Sequence, residues 1–131
     1  MADHLAHLAP PGVAPANGYT HVVVGTGRLV SISGQVAFDE SGQLVGRDDP
    51  EAQARQIFEN LRRCLAAAGA TFEDVVKLTY FVTDIASLNA VRRVRDTFVD
   101  TSRPPASSAV QVAGLILPEL LMEIEALAVI P

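Results

Sequence analysis

Residues 120–130, LLMEIEALAVI, decide the fold, because in an extended chain they present two different faces. Met122, Ile124, Ala126, Ala128 and Ile130 fall on one side, and Leu121, Glu123, Glu125, Leu127 and Val129 on the other. The first set reads as the face of a sheet that helices cover. The second mixes apolar residues with two carboxylates, too greasy for open water and too charged for a core. Contiguous exposed apolar surface usually marks an interface, so this face predicts a covering subunit.

The strand before it, Ser107 to Ala113, reads with Val110 and Val112 inward and Ser107, Ala109 and Gln111 outward. Upstream, Ala54, Ile57, Phe58, Leu61, Cys64, Leu65 and Ala68 recur at three and four residues, the stripe of an amphipathic helix. Asp48 or Asp49 can cap that helix, Pro50 suits its first position, and Gly69 stops it. Val75 to Thr83 is a strand. A second helix runs from Ile85 to Val99, with Asp84 as cap and Leu88, Val91, Val94 and Phe98 facing inward. Residues 21–24, 29–37 and 43–45 read as strands, with Gly34 marking a bulge or a close approach to the backbone. Pro10, Pro11 and Pro15 make residues 1–17 an irregular arm, and 18–131 a single domain. The fold class is α+β, a single mixed β-sheet with two helices packed on one face.

Composition narrows the function. Apolar residues make up 49% and charged residues 19% of the 131, enough for a core without disulfide or metal support. Ten basic against fifteen acidic residues give a net charge of −5. Such a chain gains little from displacing phosphate counterions, so no nucleic-acid partner is expected. Arg92, Arg93 and Arg95 form the one basic cluster and read as a solvated helix face. No apolar run is long enough for a membrane span, no secretory leader is visible, and the single Cys64 fits a reducing compartment; the expected location is cytoplasmic. Cys64 lies on the first helix's apolar stripe and reads as an inert core thiol. His4 and His7 have no third ligand, and no metal is expected. Gly25-Thr26-Gly27 reads as a turn, not a phosphate loop.

The stretches GYTHVVVGTGRLVSISGQV (18–36), DPEAQARQIFENLRRCLAAAGATFEDVVKLTYFVTDI (49–85) and RPPASSAVQVAGL (103–115), followed by LMEIEALAVIP (121–131), together resemble the Rid family, also called YjgF or endoribonuclease L-PSP. The resemblance runs from about Tyr19 to the C-terminus. It implies a chorismate-mutase-like fold and a homotrimer with ligand clefts between subunits. It also implies cofactor-free hydrolysis of reactive enamines and imines to carbonyl compounds and ammonia.

Carried over residue by residue, the resemblance assigns Glu123 as the carboxylate that orients the attacking water. Tyr19, Ser33, Gly34, Asn89, Ser107 and Ala109 become substrate-binding positions. The departure is at Ser107, in the sequence Ala106-Ser107-Ser108, where deaminase-competent members carry an arginine that binds the substrate carboxylate. A guanidinium offers a bidentate fork and a hydroxyl offers one bond. Losing such a clamp costs about 2–5 kcal/mol in a partly dry cleft. Arg103, four residues upstream, is the nearest cation in sequence, although nothing there aims it. Two functions therefore stand side by side: an enamine or imine hydrolase, and a non-catalytic ligand-sensing or partner-binding trimer. A ribonuclease, which one family name implies, is opposed by the acidic charge and the absence of a catalytic histidine pair.

Overall fold

The computed structural model describes residues 3–131, and its architecture follows from two crossovers that step the same way across one sheet. Strand β3 (Arg28–Gln35) leads through helix α1 (Pro50–Ala67) to β4 (Val75–Val82). From there helix α2 (Leu88–Arg95) leads to β5 (Ala106–Gln111), and β6 (Met122–Ile130) closes the chain. The spatial order is β3-β6-β4-β5, with β6 antiparallel to both neighbours and β4 parallel to β5. Each β-α-β unit prefers a right-handed crossover, and both move in the same direction, so both helices land on one face.

Local signals explain the elements. Asp49 caps α1 by accepting from the Ala52 amide at 3.1 Å, Pro50 opens the helix, and Gly69 adopts the left-handed φ of 76° that ends it. The α1 stripe packs Ala54, Ile57, Phe58, Leu61 and Leu65 onto Met122, Ile124, Ala126 and Ala128 of β6, all buried. Phe58 stacks on Phe98 with ring centres 5.4 Å apart, joining the C-terminal end of the α2 segment to the same core. The opposite face of β6 remains uncovered: Leu127 is 38% exposed, and Leu29 of the neighbouring β3 is 69% exposed.

Several expectations are corrected. Residues 1–17 are not wholly irregular: Leu5–Leu8 forms β1, paired antiparallel with β2 (Val22–Gly25) in a separate two-stranded ribbon. The sheet is therefore four-stranded, with the ribbon laid over one end of β6. Gly25 permits this, because a Cβ there would stand 3.1 Å from the Val129 side chain. The strand expected at 43–45 is a lone bridge between Phe38 and Leu44. The second helix is shorter than expected. A 3-10 turn at Ile85–Ser87, capped by Asp84, precedes α2, which ends at Arg95.

Strand β5 also turns its faces the other way. Its parallel register sets Ser107 and Ala109 beside Leu78 and Tyr80, which are buried under the helices. Ser108 and Val110 stand on the open face, where Lys77 Nζ donates to Ser108 Oγ at 2.9 Å. The valines had suggested the reverse. At an edge strand, however, the helix side is a cleft and not solid core.

One buried polar side chain sets where β6 begins. Gln53 of α1 donates to the carbonyls of Gly46 (3.1 Å) and Glu119 (3.0 Å) and accepts from the Leu121 amide (2.9 Å). Replacing it by leucine strands three backbone groups, each at about 1–3 kcal/mol if left unpaired. Gln53→Leu should therefore lower unfolding free energy by about 3 kcal/mol or more in urea titrations at fixed protein concentration. Wild-type stability in that variant would show that these bonds do not hold the loop.

Candidate functional site

Two groups of candidate side chains flank the sheet on opposite sides. On the open face, Glu123 of β6 lies opposite Phe81 of β4 and over the irregular part of β3. The β3–β6 register shifts between Ile32 and Gln35, so Ser33 and Gly34 form the bulge that the glycine suggested. Glycine is required here, since a Cβ at position 34 would collide with the Glu123 carboxylate. Ser33 is exposed, and its carbonyl accepts from Gln35 Nε2 at 3.0 Å. Glu123 is half-buried, and among the described residues no cation stands within ion-pair distance of it. A carboxylate held against backbone, yet not neutralised by a partner, can take a proton from water and return it.

The second group lies under the helices, between α2 and β5. A narrow cavity of about 40 Å³ is lined by Tyr19, Tyr80, Arg92, Arg95, Ser107 and Ala109, among others. Tyr19 arrives there because Thr20 is pinned to the entry of β5. The Thr20 amide donates to Pro105 O at 3.1 Å, and its hydroxyl donates to Pro104 O at 2.5 Å. The Tyr19 ring meets His21 edge-on at 5.2 Å, and His21 Nε2 bonds Ala14 O at 2.6 Å. Arg95 is buried, and its Nε and Nη2 donate to Asp96 Oδ1 at 2.9 and 2.8 Å. Tyr80 is also buried. Burial pushes its phenol up to about 12, against the opposing pull of the Arg95 guanidinium.

The structure thus brings Tyr19, Ser107 and Ala109 together, and separately Glu123 with Ser33 and Gly34. It does not bring Asn89 to either group. Asn89 is exposed on α2, while Arg92, about one turn on, lines the cavity. Arg103 is aimed elsewhere: its Nη2 donates to Leu5 O at 3.3 Å and lies 3.4 Å from His7 Nδ1. His4 Nε2 bonds Val129 O at 2.6 Å and lies 3.1 Å from Asp74, fastening the ribbon to β6. Cys64 is half-buried: it packs against the core from the α1 stripe and also borders a surface groove with Gly34 and Asn60.

The basic cluster divides. Arg92 and Arg93 are exposed as expected, but Arg95 is 7% exposed and is corrected from solvated to buried. Its position carried the signal, because Leu88, Val91, Arg95 and Phe98 follow the helical period of a buried stripe. Tyr80 was missed for a similar reason. It alternates with Leu78 and Val82, and only its hydroxyl distinguishes it from core.

Comparison with known proteins places these features in a family. A family model described as endoribonuclease L-PSP matches residues 10–130. A RutC family protein of Synechocystis sp. is 35% identical over 119 residues, 90% of each chain. The solved structure of the Rid family protein YyfB from Yersinia pestis superposes with a TM-score of 0.89 at 39% identity, covering 97% of this chain and 99% of that one. RidA from an Antarctic Psychrobacter sp. gives a TM-score of 0.72 at 36% identity, covering 89% and 92%.

Tyr80 offers a check on the cavity's dryness. With a folded pKa raised above the ordinary 10.0, its neutral form contributes stability fully below pH 10. That contribution fades as pH climbs through about 12. In a Tyr19→Phe variant, which leaves Tyr80 as the only tyrosine, tyrosinate absorbance should stay absent at pH 10 and rise near pH 12. Ionisation at pH 10 in the folded protein would mean a wet cavity.

Proposed function

The chain belongs to the Rid family, the YjgF or endoribonuclease L-PSP family, and from that premise we propose that it is a homotrimeric enamine and imine hydrolase with its sites between subunits. The observation that carries this reading is the split of functional groups across the sheet. Glu123 and Gly34 occupy the open face, whereas Tyr19, Ser107 and Ala109 lie on the helix side at the β5 edge. A small ligand cannot touch both through the thickness of one sheet. It can do so where the open face of one copy meets the β5 edge of the next, an arrangement that also buries Leu29, Leu127 and Val110.

In such a cleft the chemistry needs no cofactor. An enamine tautomerises to its imine, and water adds to the carbon of the C=N bond. Glu123 accepts the proton from that water and passes it to the nitrogen. The carbinolamine then collapses: its hydroxyl proton passes, again by way of Glu123, to the amino nitrogen, the C–N bond breaks, and ammonia leaves behind a carbonyl compound. The Gly34 backbone and the β5 edge at Ala109 hold the substrate, and Tyr19 stands at the mouth.

Ammonia release above the uncatalysed rate, from imines generated in situ by an amino-acid oxidase, tests the chemistry. Glu123→Ala should lower that rate by about 10²-fold or more. Should wild type and variant be equally inactive across a broad panel, the hydrolase reading fails, and a trimer that binds without turnover replaces it. Assembly is checked separately. At micromolar concentration the protein should sediment as three copies of the 13.9 kDa chain, and a stable monomer would remove the cleft.

A further inference from the structure

Ser107 poses a question about charge. A cleft that handles small amino-acid-derived imines must hold a carboxylate, and β5 provides only a hydroxyl at this point. The same cavity is nevertheless lined by two arginines, Arg92 and Arg95, and by no acidic side chain. Arg92 is exposed at the edge, whereas Arg95 is buried.

The surroundings of Arg95 are those of a prepared donor. Asp96 accepts from Nε and Nη2, which fixes the guanidinium plane, and no other carboxylate pairs with it among the described residues. Gly18 allows the chain to pass over it, since a Cβ there would stand 3.2 Å from Nη2. Beside it sits the Tyr80 hydroxyl, on a side chain 4% exposed; the Arg95 guanidinium faces its oxygen, and its proton finds no acceptor among the described residues. A buried donor left without an acceptor costs free energy unless something fills that place. The cavity, about 40 Å³, has room for a group the size of a carboxylate.

We propose that Arg95, reaching from α2, is the residue through which this cleft recognises a carboxylate, replacing the cation that position 107 lacks, with Tyr80 as a second donor. The ligand is accordingly a small carboxylate and not a neutral amine. The inference deepens the hydrolase reading and rests on the same cleft. It also gives a reason for the serine: an arginine at 107 would bring a further guanidinium into a cavity that already holds one. Like charges confined there repel one another.

Titration calorimetry on the intact assembly, with 2-oxobutanoate and its uncharged counterpart 2-oxobutanamide as probes, tests this. Wild type should bind the acid about tenfold or more tightly than the amide, and Arg95→Met should erase that preference while changing amide affinity by less than about twofold. Arg95→Lys, which keeps the charge but loses the fork, should retain part of the preference. The double variant Arg95→Met, Ser107→Arg should regain it by returning the cation from the strand. If Arg95→Met disturbs folding, Asp96→Asn reads the same charge from outside and should tighten the acid alone.

Unchanged acid binding in Arg95→Met, or in Asp96→Asn where the former does not fold, overturns the role of Arg95 and leaves the cleft reading standing. A wild type that binds neither probe removes the ligand site itself, and this inference with it.

Discussion

Two crossovers that step the same way across a four-stranded sheet, each with the same preferred hand, are the constraint on which the rest depends. They commit α1 and α2 to one face and leave the other with no cover from the described chain apart from the β1–β2 ribbon at one end. The core is therefore one-sided. Everything on the far side, including Leu29, Leu127 and Glu123, is placed by the backbone of the sheet and not by packing within the protomer. A face of that kind leaves large apolar residues exposed, the kind of surface that marks an interface.

The central position of β6 then connects stability to chemistry. Its inner residues are the floor on which α1 packs, and Gln53 of α1 fixes where the strand begins. Glu123 follows two residues after the Leu121 amide that Gln53 holds, so the register of the carboxylate is set from the core side. On the outer side, the bulge at Ser33 and Gly34 makes space for the same carboxylate. A slip of one residue would exchange Glu123 with a core position, which the buried alternation of Met122 and Ile124 forbids.

What could be read from residues alone follows this logic. The alternation of β6, the capped stripe of α1 and the special place of Gly34 are local patterns with a single physical meaning, and all three reappear in the structure. The errors arose where neighbours decide. Leu5–Leu8 is a strand because Val22–Gly25 pairs with it, and nothing in a proline-rich stretch announces that partner. The faces of β5 were reversed because Val110 looks like core, yet an edge strand borders a cavity on its helix side. Asn89, which family likeness names, lies exposed on α2 about one turn before Arg92, the α2 residue that lines the cavity. Arg95 reads as surface by its charge and as core by its helical phase, and the packing follows the phase. Family likeness gives the candidate site as a set of positions, and the fold sets those positions on opposite sides of one sheet.

The place of Arg95 bears on what kind of cation a cleft can use. A guanidinium carried by an edge strand is held by one backbone and free to follow a ligand. One carried by a helix, buried and tied to the next residue's carboxylate, loses mobility before any ligand arrives. Its desolvation is met within the protomer by Asp96, which is half exposed and so offsets the charge only in part. Ordering the donor during folding and not during binding reduces what the ligand must overcome, and it restricts the acceptor to one position and orientation. Under the proposal for Arg95, moving the cation from strand to helix exchanges adaptability for selectivity.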